Sequence, residues 1–230
     1  MRPTILALLT AAAAITGSSP AAVTAADAVN IPDAESKLAS LIKAEHLRVC
    51  GTVLTRAAQH TSLDRWRARD MLSRNYFSHT IPGGSYYWDH FRHFGIEDWV
   101  SPYASEILAT NTHVSSDTAA GTYASKSFMA SAPHRGAIRN CSYNTFGVGA
   151  YHEGSRRDFA VTFSRQPTER TTRDSNVRTG PGTSYDITMT VPIGTRQIVF
   201  LHRTDTQGRR WDNGYIAGVA RGWVADSATK

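Results

Sequence analysis

Apolar side chains between residues 34 and 48 recur at helical spacing. Leu38, Leu41, Ile42 and Leu47 share one face, Asp33 stands where an N-cap belongs, and Gly51 lies just past the end. A second helical pattern covers 62–75, with Ser62 as cap and Leu63, Trp66, Met71 and Leu72 on its apolar side. Pro82, Gly83 and Gly84 predict a turn. Tyr86 to Phe94 reads as a short aromatic helix stopped by Gly95. A further helix is expected from an Asp117 cap to Ser131, with Pro133 ending it just before His134. The period then changes from helical to two. Phe146, Val148 and Ala150 alternate with Gly147, Gly149 and Tyr151, and Phe159, Val161 and Phe163 alternate with Ala160, Thr162 and Ser164. A polar, Gly-containing stretch at 152–158 separates the two runs. This predicts an antiparallel hairpin with one buried face. Helices first and strands last predict α+β layer packing.

Beyond this region the pattern is short strands and Gly/Pro turns. The change falls at 166–174, a polar stretch with Pro167 and no apolar anchor, which reads as a linker. At the other end, Arg2 precedes an apolar run from Ile5 to Ile15 broken only by Thr10, and small residues follow. The run is short of the ~20 residues of a membrane span and reads as an export signal over 1–28, with cleavage sites at Thr24-Ala25-Ala26 and Ala26-Asp27-Ala28. No later segment is long and apolar enough to span a bilayer. The expected organisation is therefore a signal at 1–28, a domain at 34–165, a linker at 166–174 and a second domain at 175–230.

Charge and cysteines refine this picture. The net charge of +6 comes from scattered arginines, without a lysine-rich tract or a nucleic-acid motif. A basic exported protein is drawn to anionic envelope polymers or lipid headgroups, and no nucleic-acid partner is expected. Cys50 and Cys141 are the only cysteines, and an oxidising compartment favours their pairing.

Candidate chemistry lies in Tyr-Phe-Ser-His at 76–79, Ser-Glu-Ile at 105–107 and Ser-Ala-Pro-His-Arg at 131–135. These supply His79, Glu106 and His134. Such a set can hold Zn²⁺ or another divalent metal through His79 and His134, pair for acid–base catalysis, or form a structural polar network. The spacing leaves all three open. His90 and His93 sit one turn apart without a third ligand. His113 lies close to Glu106 in sequence. Arg135 is expected to pair or to cap carbonyls, and Ser131 to cap or hydrogen-bond.

Taken in order, Tyr-Phe-Ser-His-Thr, the Pro-Gly-Gly turn, an aromatic helix ending in Gly, a Glu-containing segment, Phe128-x-x-Ser131-x-x-His134-Arg135 and Phe146-Gly-Val-Gly resemble the bacterial branch of the CAP superfamily. That superfamily includes cysteine-rich secretory, antigen 5 and pathogenesis-related 1 proteins. The resemblance covers about 35–165. It implies an α-β-α sandwich whose cleft is lined by His79, Glu106 and His134. Ser105 and Ile107 replace the family's flanking Gly and Asn, Phe128 replaces its usual Trp, and no Glu lies between Asp117 and His134. The set is thus a reduced form of the fuller family tetrad.

Residues 175–230 open with Asn-Val-Arg-x-Gly-Pro at 176–181 and close with Gly-Trp-Val at 222–224, and resemble a bacterial SH3-like (SH3b) domain. That resemblance implies a small β-barrel and attachment to peptidoglycan or another envelope polymer, with Tyr185, Trp211 and Tyr215 as stacking faces. Arg178 is expected to pair structurally. The combined expectation is a secreted, envelope-associated protein whose His/Glu cleft binds a divalent metal or a small hydrophobic or lipid ligand. An envelope-polymer hydrolase and an inert structural protein remain as alternatives.

Overall fold

A computed structural model describes residues 28–114, 116–217 and 220–230. The export signal expected at 1–28 lies outside the described residues except for Ala28. No helix among the described residues is long and apolar enough to cross a membrane.

The first helix, α1, runs Pro32–Cys50. It begins earlier than the Asp33 cap predicts because Pro32 sits in its first turn, where a missing N–H costs nothing. Gly51 ends it in the left-handed region (φ 67°), and its N–H bonds the Leu47 carbonyl. Helix α2 spans Ala58–Ser73, so Ser62 lies inside it rather than at its cap. Tyr87–Phe94 winds as a 3₁₀ segment, and Asp98–Tyr103 forms a second one. Helix α3, Asp117–Ala130, is capped by the Ser116 hydroxyl, which accepts from the Ala119 N–H. Pro133 does not simply end a helix. It lies in the first turn of a new short one, α4 (Ala132–Ile138), which carries His134.

Six strands make the first sheet: β1 (Val29–Asn30), β2 (Thr55–Arg56), β3 (Ala104–Asn111), β4 (Thr145–Phe146), β5 (Gly149–Glu153) and β6 (Arg156–Ser164). Their order is β1-β5-β6-β4-β2, and β3 pairs antiparallel with β6 over its whole length. The predicted hairpin is present as β5–β6. Its single buried face is not, because β6 is buried from Arg157 to Ser164. Phe159, Val161 and Phe163 point into the main core with residues of α1, α3 and α4. Ala160 points the other way and packs with Met71 of α2 and Leu108 of β3. Helices therefore cover both faces, as an α-β-α sandwich requires. A Cβ on Gly149 would stand 2.1 Å from the Asp64 and Arg65 backbone, so α2 approaches the sheet at a distance only glycine permits. Cys50 and Cys141 are bonded and tie the end of α1 to the loop after α4. Closing a loop with a sequence separation of 91 contributes roughly 4–5 kcal/mol in the chain-entropy treatment.

The second sheet is formed by β7 (Thr168–Arg170), β8 (Ser175–Arg178), β9 (Ile187–Val191), β10 (Arg196–Thr204), β11 (Arg210–Ile216) and β12 (Ala220–Ala225). Its order is β7-β10-β11-β12-β8-β9. No pairing joins β7 to β9 among the described residues, so the sheet is open where a closed barrel was expected. The segment 166–174 contributes to this: Thr168–Arg170 pairs with β10 and occupies its outer edge, and Gln166 is buried. The second sheet also meets the start of α2 directly. Ala57, Ile198 and Phe200 form one small apolar cluster, with Tyr215 packed against it.

Candidate functional site

Strand alternation decides where Glu106 points. Its neighbour Ile107 enters the main core, and Glu106 turns toward α2. There it meets Arg67, whose Nε donates to Oε1 at 2.8 Å while Nη2 lies 3.4 Å from Oε2. Neither side chain has measurable exposure. A buried ion pair is tolerable only when its remaining polar atoms are satisfied. Here they are: Arg67 Nη1 donates to the Tyr76 hydroxyl and Nη2 to the Ser78 carbonyl at 2.8 Å. The Tyr76 hydroxyl in turn donates to Asp70. Burial, and then the Asp70 carboxylate, push the Tyr76 phenol up to about 12.

The same network places His79. Its Nδ1 lies 2.9 Å from Glu106 Oε2, and its side chain remains 52 % exposed. The loop that carries it is pinned at two points. Arg67 holds the Ser78 carbonyl, and Arg156 reaches from β6 to the Tyr76 carbonyl at 2.6 Å and to Asn75 Oδ1 at 3.0 Å. Arg156 is itself paired with buried Asp158. Donation from Nδ1–H to a carboxylate leaves the Nε2 lone pair free at the exposed edge of the ring.

His134 lies on α4. Its ring stands perpendicular to Phe128 with centroids 5.4 Å apart. Burial, and secondarily the charge of the nearby His79, lower its basicity. Of the two imidazoles, only His79 bonds Glu106.

This arrangement does not fit a metal. Both Glu106 oxygens are engaged, and a cation there would face the Arg67 guanidinium. No group of three or more His, Cys, Asp or Glu side chains among the described residues is placed to hold an ion. The remaining sequence candidates have local roles. His90 packs on Trp66 at 4.4 Å and bonds Ser85, and His93 packs on Phe94. His113 is exposed and bonds the adjacent Thr112. Arg135 donates to the Met129 carbonyl at the end of α3. Ser131 is the backbone junction of α3 and α4, and its hydroxyl caps nothing.

In the second sheet, Arg178 holds the Thr183 and Tyr185 carbonyls. Tyr185, Trp211 and Tyr215 each border a different cavity. Trp211 is 3 % exposed and donates its indole N–H to Asp205. Sequence reasoning missed Arg67, the hub of the site. It occupies the position between Leu63 and Met71 on the buried stripe of α2, one turn from each, where an arginine stands out among apolar neighbours.

No protein-family model and no curated protein sequence matches the chain. Solved structures do. An extracellular protein containing an SCP domain from Bacillus anthracis aligns at 20 % identity and a TM-score of 0.50, over 59 % of this chain. This chain spans 41 % of that protein's length. An outer surface protein from Borrelia burgdorferi aligns at 14 % identity and a TM-score of 0.50, over 61 % of this chain and 98 % of its own. Over more than half its length, the chain therefore has a mixed α+β, SCP-like fold.

Proposed function

We propose that this is an exported, envelope-associated binding protein whose SCP-like site recognises a hydrogen-bond donor on a small ligand or polymer through His79. The observation that carries the proposal is an exposed imidazole held by a buried, Arg67-neutralised carboxylate. An imidazole oriented in this way presents a fixed acceptor to solvent at little entropic cost on binding. The apolar N-terminal run, the Cys50–Cys141 bond and the fold shared with an extracellular and an outer surface protein support an envelope location. The second sheet, whose sequence resembles a wall-binding module, is the proposed attachment element. A peptidoglycan sacculus supplies amide and hydroxyl donors and is the proposed partner.

One feature favours a second reading, hydrolysis of the same polymer. The Nδ1–Glu106 bond fixes the tautomer in which Nε2 accepts a proton, as a general base must. Co-sedimentation with isolated sacculi, together with assay of released products at pH 5–8, separates the two. Binding predicts retention of the wild type, retention of His79→Ala weakened to what the second sheet alone supports, and no soluble products. Product release that depends on His79 supports hydrolysis, and retention unchanged by His79→Ala overturns a binding role for the site.

A further inference from the structure

Where α1 and β2 meet the second sheet, the surface is hollowed into a cavity of about 470 Å³. Lys43 and Arg56 line it from the first part of the chain and Arg196 from β10, and no Asp or Glu is among its lining residues. Val53, Ile198 and Tyr215 supply an apolar wall. The cations are weakly matched. Lys43 has no hydrogen-bond or ion-pair partner among the described residues. Arg196 has a single 3.5 Å contact to the Thr168 hydroxyl. Arg56 uses one nitrogen on Glu35 and Val148, and that carboxylate is shared with Arg65. Positive groups gathered in one concavity with only the shared Glu35 carboxylate to offset them raise each other's free energy, and an anion relieves it. A pocket of this size with an apolar wall and a few convergent polar groups is of the kind that holds small molecules.

We propose that this cavity binds a small amphipathic anion: a phosphate or carboxylate headgroup among Lys43, Arg56 and Arg196, carried on an apolar body that lies against Val53, Ile198 and Tyr215. None of these residues belongs to the His79 site. Because the lining comes from both sheets, the bound ligand ties the second sheet to the first, and occupancy raises the unfolding temperature of the whole chain.

The test uses the full chain with decyl phosphate below its micellar concentration, followed by calorimetry and thermal unfolding. Inorganic phosphate and decanol serve as headgroup-only and tail-only probes, and phosphatidylglycerol vesicles as the membrane arm. The expected result is saturable single-site binding that raises the Tm and weakens with salt. Both partial probes should bind at least about tenfold more weakly, as should decyl phosphate to a Lys43→Gln/Arg196→Gln variant with an unchanged circular dichroism spectrum. Unchanged affinity in the double variant overturns the site. Decanol or inorganic phosphate binding as tightly as decyl phosphate overturns the amphipathic assignment. Vesicle binding without decyl phosphate binding replaces the small-ligand site with a membrane-surface contact.

Discussion

Arg67 donates to Glu106, the Tyr76 hydroxyl and the Ser78 carbonyl from a position closed to solvent. Removing it strands a carboxylate in the interior, which costs about 3–5 kcal/mol, whereas replacing both members with apolar side chains of similar volume returns much of that loss. Arg67→Met is therefore expected to lower the unfolding free energy by about 3–5 kcal/mol in urea titrations, and Arg67→Met/Glu106→Leu to recover most of it. A single-variant cost below about 1 kcal/mol would show that Glu106 does not depend on Arg67. At this scale the motifs made the hydrogen-bonded pair legible: Phe-Ser-His and Ser-Glu-Ile identify His79 and Glu106, which do meet. His134 feels the charge of His79 but takes no part in the hydrogen bond. The hub was hidden because a helical arginine is usually exposed, and only the sheet opposite α2 reveals what Arg67 reaches.

At the scale of elements, the instructive case is the alternate face of the last strands. Gly147, Gly149, Ala160, Thr162 and Ser164 read as a solvent face because none is large and apolar. They are small because α2 lies directly on them. The missing signal was the absence of charge at these five positions: a solvated strand face carries Lys, Glu or Arg along its length, whereas here Arg156 and Asp158 stand only at the start of β6 and pair with each other. The close approach is testable at Gly149, where a methyl group meets backbone rather than a yielding side chain. Gly149→Ala is expected to destabilise the protein by about 3 kcal/mol, measured by thermal or urea unfolding, because α2 must lift from β5. An effect within about 0.5 kcal/mol, the size of an ordinary surface substitution, would mean the helix moves freely. The starts of α1 and α2 differed from prediction for a local reason. Pro32 opens α1, and α2 begins beyond Ala57, whose extended backbone and apolar contacts with the second sheet fix the entry.

For the molecule as a whole, one pH-dependent contribution to stability comes from the junction with the second sheet. His60 is fully buried, with its Nε2 2.8 Å from the Ser164 hydroxyl and its ring 6.2 Å from Phe200 of the second sheet. Burial pushes its pKa down to about 3, so the folded chain keeps it neutral while the unfolded chain protonates it near its ordinary value of 6.5. The unfolded state then binds more protons between those values. The stability that depends on a neutral His60 is complete above pH 6.5 and drains as pH falls toward 3. Asp64, one turn further along α2, is pushed the opposite way by burial, so the whole-protein profile mixes both signs. Comparison with His60→Gln isolates the histidine. Between pH 7.5 and 4.5 the wild type should lose about 2–3 kcal/mol relative to the variant, read from paired urea titrations, and parallel profiles would contradict the burial argument. The polar stretch 166–174 reads as a linker in the sequence. It instead carries β7, an assignment its composition conceals because the strand borrows its partner from β10, far along the chain.

Strand β6 has one more consequence, for the order in which the chain becomes structured. β1 waits for β5, β2 for β4, and β3, β4 and β5 all for β6. Until residue 145 emerges from the ribosome, no strand of the first sheet has a partner, and until residue 164 it has no centre. Helices α1 to α4 can form early and locally, but the nucleus of this sheet requires contacts between distant segments, which slows folding. A nascent chain of this kind stays open through most of its synthesis, the state in which a polypeptide can be threaded across a membrane before it folds.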